Sequence, residues 1–141
     1  IMTITVPDID CLEHVISEHH DFFSHHKCYA FNGEMGVGKT TLIQKILQMY
    51  GVKKLQGSPT YSIINEYQSN QGIDLYHLDC YRIKNDQEAF ELGLEELLNK
   101  KNPIFIEWPE NVSAFLPPDT IWLRLNVSEN HIRTIEIADE Y

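Results

Sequence analysis

The chain has 141 residues with 43% apolar and 23% charged side chains, dimensions that suit one globular domain over residues 1–141 with a single core. Its formal charge is −10 with only eleven lysines and arginines, so a direct grip on nucleic-acid phosphates is disfavoured; an RNA, if one is involved, is expected to rest on a partner. No apolar run approaches the ~18 residues of a membrane span, and the first residues lack the basic start and apolar stretch of a signal peptide. Three scattered cysteines, Cys11, Cys28 and Cys80, make a poor disulfide framework and fit a reducing cytoplasm.

In chain order, residues 10–23 carry Leu12, Val15, Ile16, His19 and Phe22/Phe23 at helical spacing, with Asp8 or Asp10 as a cap. The histidine-rich run "HHDFFSHH" (19–26) reads as a solvated helix end rather than a zinc site, because adjacent residues on a helix point apart. "KCYAF" (27–31) is a short strand, and "TTLIQKILQMYG" (40–51) is an amphipathic helix that Gly51 stops. The runs "YSIINEY" (61–67) and "IDLYHLDCYRI" (73–83) read as an antiparallel hairpin around "QSNQG". Asn85 and Glu88 resemble a capping box opening a helical region that Gly93 interrupts. "PIFIE" (103–107) is a buried strand, and 120–127 with 131–138 form a second hairpin. Interleaved strands and helices predict a three-layer α/β domain with a mixed sheet.

The densest signal is "FNGEMGVGKTTLIQKIL" (31–47), which fits G-x-x-x-x-G-K-[ST] as Gly33, Gly38, Lys39 and Thr40. Glycines let successive backbone N–H groups turn inward around an anion, and the helix that follows aims its positive end at the same point. Lys39 is expected to reach the β- and γ-phosphates of a nucleotide and the Thr40 hydroxyl to ligate Mg²⁺. A second magnesium arm belongs at the end of an apolar strand, where "PIFIEWPE" offers Glu107; Pro109 then blocks continuation, so Glu107 is expected at the sheet's exposed edge. Asp79 sits in an apolar run in which alternation puts His77, Asp79 and Tyr81 on one face; buried there, it needs a metal, a water or Arg82 as a partner. "GSPTYS" (57–62) is a turn-forming segment where nucleotide switches often lie.

The "NKKN" of 99–102 lacks the aspartate with which N-K-x-D pairs guanine, so ATP is favoured. Three spread arginines make neither a kinase lid nor an evident finger, so water is the expected acceptor and hydrolysis alone should be slow. A small-molecule kinase and a nucleotide-gated binding module remain as alternative readings.

Together, "GEMGVGKTTL", "SPTYSIINEY", "YHLDCYRI", "ELGLEELL", "IEWPENV" and "LP" resemble the TsaE (YjeE) family, in the family's order over residues 31–118. The resemblance implies a P-loop fold with a mixed, mainly parallel central sheet flanked by helices, and an Mg-dependent ATPase serving formation of the threonylcarbamoyl group on tRNA adenosine beside the anticodon. By motif position, residues Gly33, Glu34, Met35, Gly36, Val37, Gly38, Lys39, Thr40 and Thr41 form the ATP cradle. Thr40 and Glu107 match the Mg²⁺ ligands. Asp79 matches an acid needed for hydrolysis through metal-bound water. Thr60 matches the switch-like loop and Trp108 the aromatic beside the metal arm. Arg133 matches a position approaching the nucleotide, and Pro7–Ile9 a segment near the adenine. The chain departs from the family pattern mainly at Cys80, where an aliphatic residue is common. The implied partners are a threonylcarbamoyl transferase subunit (TsaD-like) and its inactive homologue (TsaB-like), with tRNA contacted only indirectly. ATP hydrolysis would reset that complex between turnovers.

Overall fold

The computed structural model describes residues 2–25, 27–53 and 63–138. Among these, the strands are β1 (Met2–Val6), β2 (Cys28–Asn32), β3 (Ile64–Gln68), β4 (Asp74–Asp79), β5 (Ile104–Glu107), β6 (Ile121–Val127) and β7 (Arg133–Ala138). The helices are α1 (Leu12–Glu18), α2 (His20–His25), α3 (Lys39–Met49), α4 (Asp86–Glu91) and α5 (Leu94–Leu98), with 3₁₀ turns at Ile9–Cys11 and Pro109–Phe115.

The strands form one seven-stranded sheet in the order β1-β7-β6-β2-β5-β4-β3. The four central strands, β6, β2, β5 and β4, run parallel, while β1, β7 and β3 join antiparallel at the margins. The central β2, "CYAFN", is apolar along its length because helices or turns cover both of its faces. On one face Tyr29, Phe31, Leu75, Phe105 and Leu123 pack under α1 and α3, which contribute Val15, Ile16, Leu42, Ile43, Ile46 and Leu47. On the other face Tyr76, Leu78, Ile104 and Ile106 meet Ala89, Leu94, Leu97 and Leu98 of α4 and α5. The three layers follow from these two apolar faces.

Both expected hairpins form: β3 pairs β4 and β6 pairs β7, each antiparallel. Asn85 caps α4 by accepting from the Glu88 N–H at 2.9 Å, and Gly93, with φ of 80°, separates α4 from α5. Two expectations need correction. The helix anticipated over residues 10–23 breaks at His19, whose ring Nδ1 lies 2.9 Å from the Val15 carbonyl, in competition with the backbone ladder. The strand anticipated over 73–83 ends at Asp79; Cys80 and Tyr81 turn away, so Tyr81 does not share the strand face of His77 and Asp79. Residues 61 and 62 of the run "YSIINEY" lie outside the described residues.

Because the central strands are parallel, their carboxyl ends share one edge of the sheet. Asn32, Asp79, Glu107 and Val127 all finish there. In open α/β sheets this edge is where ligands bind. The "NKKN" segment precedes β5 and so lies at the opposite edge of the sheet from the glycine loop.

Candidate functional site

The glycine loop leaves the end of β2 and runs into α3. Gly33 has a φ of 155°, and a Cβ there would fall 2.9 Å from the Leu125 carbonyl oxygen and 2.9 Å from Val37 Cγ2. Only glycine lets the loop pass this close to β6. Gly38, with φ of 101°, makes the left-handed turn that starts α3 at Lys39.

Lys39 is 5% exposed; its Nζ donates to the Gly33 carbonyl at 2.7 Å and stands 3.7 Å from the centroid of the Trp108 ring. Burial pushes the Lys39 ammonium below the ordinary lysine value, and Glu107, Glu110 and Asp79 oppose that shift. The Thr40 hydroxyl lies 2.8 Å from Glu107 Oε1 and 3.0 Å from Oε2. Glu107 Oε2 is also 2.7 Å from His77 Nε2, and both side chains are buried. Glu107 therefore ends its strand at the ligand-binding edge but is not exposed, contrary to expectation: β5 lies between β2 and β4, and α3 covers it.

Asp79 pairs in register with Glu107 on the neighbouring strand. Contrary to the expectation of burial, it is half-buried at the strand end, and its Oδ1 accepts from the Tyr81 N–H at 3.1 Å. Strand termination opens Asp79 to the cleft. Trp108 follows Glu107 with φ 56° and ψ 50°, a left-handed conformation rare for a bulky residue. That turn brings its ring beside Lys39 and within 5.0 Å of the Tyr81 ring centroid. Asn111 donates to the Cys80 carbonyl at 3.0 Å, tying the segment after β5 to the turn after β4.

A cleft of about 360 Å³ is lined by Met35, Gly36, Gly38, Lys39, Thr40, Thr41, Asp79, Tyr81, Glu107 and Trp108. A larger one, about 730 Å³, adjoins it through Met35 and Trp108 and takes in Gly33, Glu34, Val37, Glu110 and Arg124. Arg133 opens β7 beside the loop: its Nε atom is 3.6 Å from where a Gly38 Cβ would stand, and that atom is buried without a hydrogen-bond partner among the described residues. Ile9 follows β1, whose Val6 pairs with Arg133, so it occupies the same edge of the sheet without lining either cleft. Thr60 lies outside the described residues. His77, Tyr81 and Glu110 were not singled out as functional residues; a strand pattern placed His77 beside Asp79, but its contact with Glu107 spans two strands.

The donor set fits a hard divalent cation. A hydroxyl and a carboxylate oxygen meet at 2.8 Å, and a second carboxylate lines the same cleft. No cluster of three or more His, Cys, Asp or Glu forms a protein-only cage among the described residues. Magnesium commonly takes one or two protein oxygens and completes its shell with phosphate and water.

A glycine loop between a central parallel strand and a helix, with Lys and Thr at the helix start, defines a P-loop nucleotide-binding protein. The family model described as "Threonylcarbamoyl adenosine biosynthesis protein TsaE" matches residues 7–135, and the chain belongs to that family. The tRNA threonylcarbamoyladenosine biosynthesis protein TsaE of Rickettsia typhi is 37% identical over 110 residues, 77% of this chain and 75% of that protein. The Bacillus subtilis protein of the same name is 31% identical over 113 residues, covering 77% and 69%. The crystal structure of Bacillus subtilis YdiB superposes with a TM-score of 0.73, over 95% of this chain and 82% of that one, at 20% identity; this shows the shared fold.

Proposed function

We propose that this protein binds ATP with Mg²⁺, hydrolyses it slowly, and by hydrolysis resets a threonylcarbamoyl transferase complex between rounds of tRNA modification in the cytoplasm. The observation that carries the nucleotide reading is the meeting of Thr40 with Glu107 beneath the glycine loop, within the cleft that Lys39 and Asp79 also line. The loop's N–H groups and Lys39 bind the β- and γ-phosphates. Thr40 and Glu107 would hold Mg²⁺, which would supply charge neutralisation at the transferring phosphoryl group. Asp79 orients the attacking water, Trp108 and Tyr81 wall the cleft, and Arg133 approaches the nucleotide beside Gly38. Ile9 contributes to the adenine side, and Thr60 to a switch segment.

Two features support a partnered role. The charge of −10 disfavours direct tRNA binding, so the TsaD-like transferase and its TsaB-like homologue carry the tRNA. Arginines are few, so turnover alone is slow and partners stimulate it. The test is tRNA modified per transferase with ATP, with a non-hydrolysable analogue, and without this protein. Several equivalents with ATP and no more than one otherwise are expected. Equal product above one equivalent in all three arms would overturn the resetting role.

A further inference from the structure

Resting on the reading of Glu107 as the magnesium arm, we infer that His77 is the positioning residue that orients its carboxylate. The sequence motif "YHLDCYRI" leaves His77 without a role, and the cation-binding reading needs only Thr40 and Glu107. The geometry gives it one. β4 and β5 are parallel neighbours, with His77 paired to Phe105 and Asp79 to Glu107. Paired residues of parallel strands project from the same face, so His77 stands one pleat behind Glu107 on the face that α3 covers.

Its Nε2 lies 2.7 Å from Glu107 Oε2, with His77 2% and Glu107 5% exposed. A carboxylate accepts only, so Nε2 carries the proton and donates. The two contacts on Glu107 then divide in kind. Thr40 sits at the open, loop side, where its hydroxyl donates to Glu107 and still has lone pairs for a cation. His77 is enclosed, lines neither cleft, and donates to the carboxylate from behind without facing the cation position. Held through Oε2, Glu107 keeps Oε1 directed at the cation position. Outer donors of this kind fix the orientation of ligating side chains.

The test compares ATP affinity in excess EDTA with affinity across a Mg²⁺ titration, by calorimetry. His77→Gln places an amide N–H near the Nε2 position, whereas His77→Asn is one methylene short and His77→Phe has no donor. For Phe and Asn, the Mg²⁺ concentration giving half of the affinity gain should rise by about tenfold or more, while affinity in EDTA stays within about threefold. His77→Gln should restore the Mg²⁺ response to within about threefold of the parent. Equal losses with and without Mg²⁺, or Gln behaving like Asn, would show that His77 serves only the fold. If His77→Phe does not fold, the Gln and Asn pair carries the comparison. Glu107→Gln separates the two levels. If it keeps the full Mg²⁺ response, Glu107 is not the metal arm; if it loses the response while the His77 variants keep it, only the positioning role fails.

Discussion

Replacing Lys39 with methionine removes the ammonium and keeps a stem of similar length over the Trp108 ring. Lys39 is engaged with the Gly33 carbonyl at 2.7 Å and with the Trp108 face at 3.7 Å. On the proposed reading, binding ATP would exchange the carbonyl contact for phosphate oxygens, so the gain is a difference. Two charge-assisted bonds to phosphate contribute roughly 3–6 kcal/mol, and the surrendered bond to Gly33 offsets about 1.5–3 of that. The remaining ~1.5–3 kcal/mol corresponds to a loss of about ten- to a hundredfold in ATP affinity in the variant. Partial desolvation of Lys39 is already present before ATP arrives, which keeps the loss from shrinking further. Calorimetric titration of ATP in the presence of Mg²⁺ measures it, and thermal unfolding checks that the variant folds. A folded variant whose Kd changes by less than about threefold would refute the reasoning, because the lysine would then not face the phosphates.

Asp79→Asn should reduce hydrolysis by at least about tenfold while ATP affinity changes by less than about threefold; normal turnover with the partners present would make Asp79 a structural residue that only caps the Tyr81 N–H. Unlabelled GTP should compete against labelled ATP with no advantage, since "NKKN" lies at the far edge of the sheet; a GTP preference above about tenfold would mean another segment reads guanine. Burial raises the Cys28 thiol to about 11 and the Cys80 thiol to about 12, from an ordinary 9.0. The unfolded chain therefore loses these protons first, and stability should fall by roughly several kcal/mol as pH rises from 9 through 12. A Cys28→Ser, Cys80→Ser double variant, followed by denaturant unfolding, should show a flatter decline; an unchanged slope would assign it to other groups.

The glycine loop, its strand and its helix were legible in the sequence because their signals are local. Conformational freedom at Gly33 and Gly38, a buried apolar strand and a 3.6-residue apolar period all act within a few residues of one another. Strand ends were less legible. Apolar residues continue past Asp79 through Cys80 and Ile83, and pattern cannot distinguish a longer strand from a turn whose residues are buried by α4 and α5. The break at His19 was hidden for a similar reason, since the apolar spacing runs on through it.

By itself the sequence determined the chemistry available: a phosphate-binding loop, a lysine, a hydroxyl and two strand-borne acids, on a chain of net charge −10. Only the tertiary structure decided which of these groups meet. Parallel pairing of β2, β5 and β4 brings Thr40, Glu107, Asp79 and His77, drawn from three segments, to one edge. Pairing of β7 beside β6 brings Arg133 against Gly38 from the other end of the chain. Such contacts depend on strand order and register, which arise from burying both faces of the sheet at once and leave no periodic trace in any single segment.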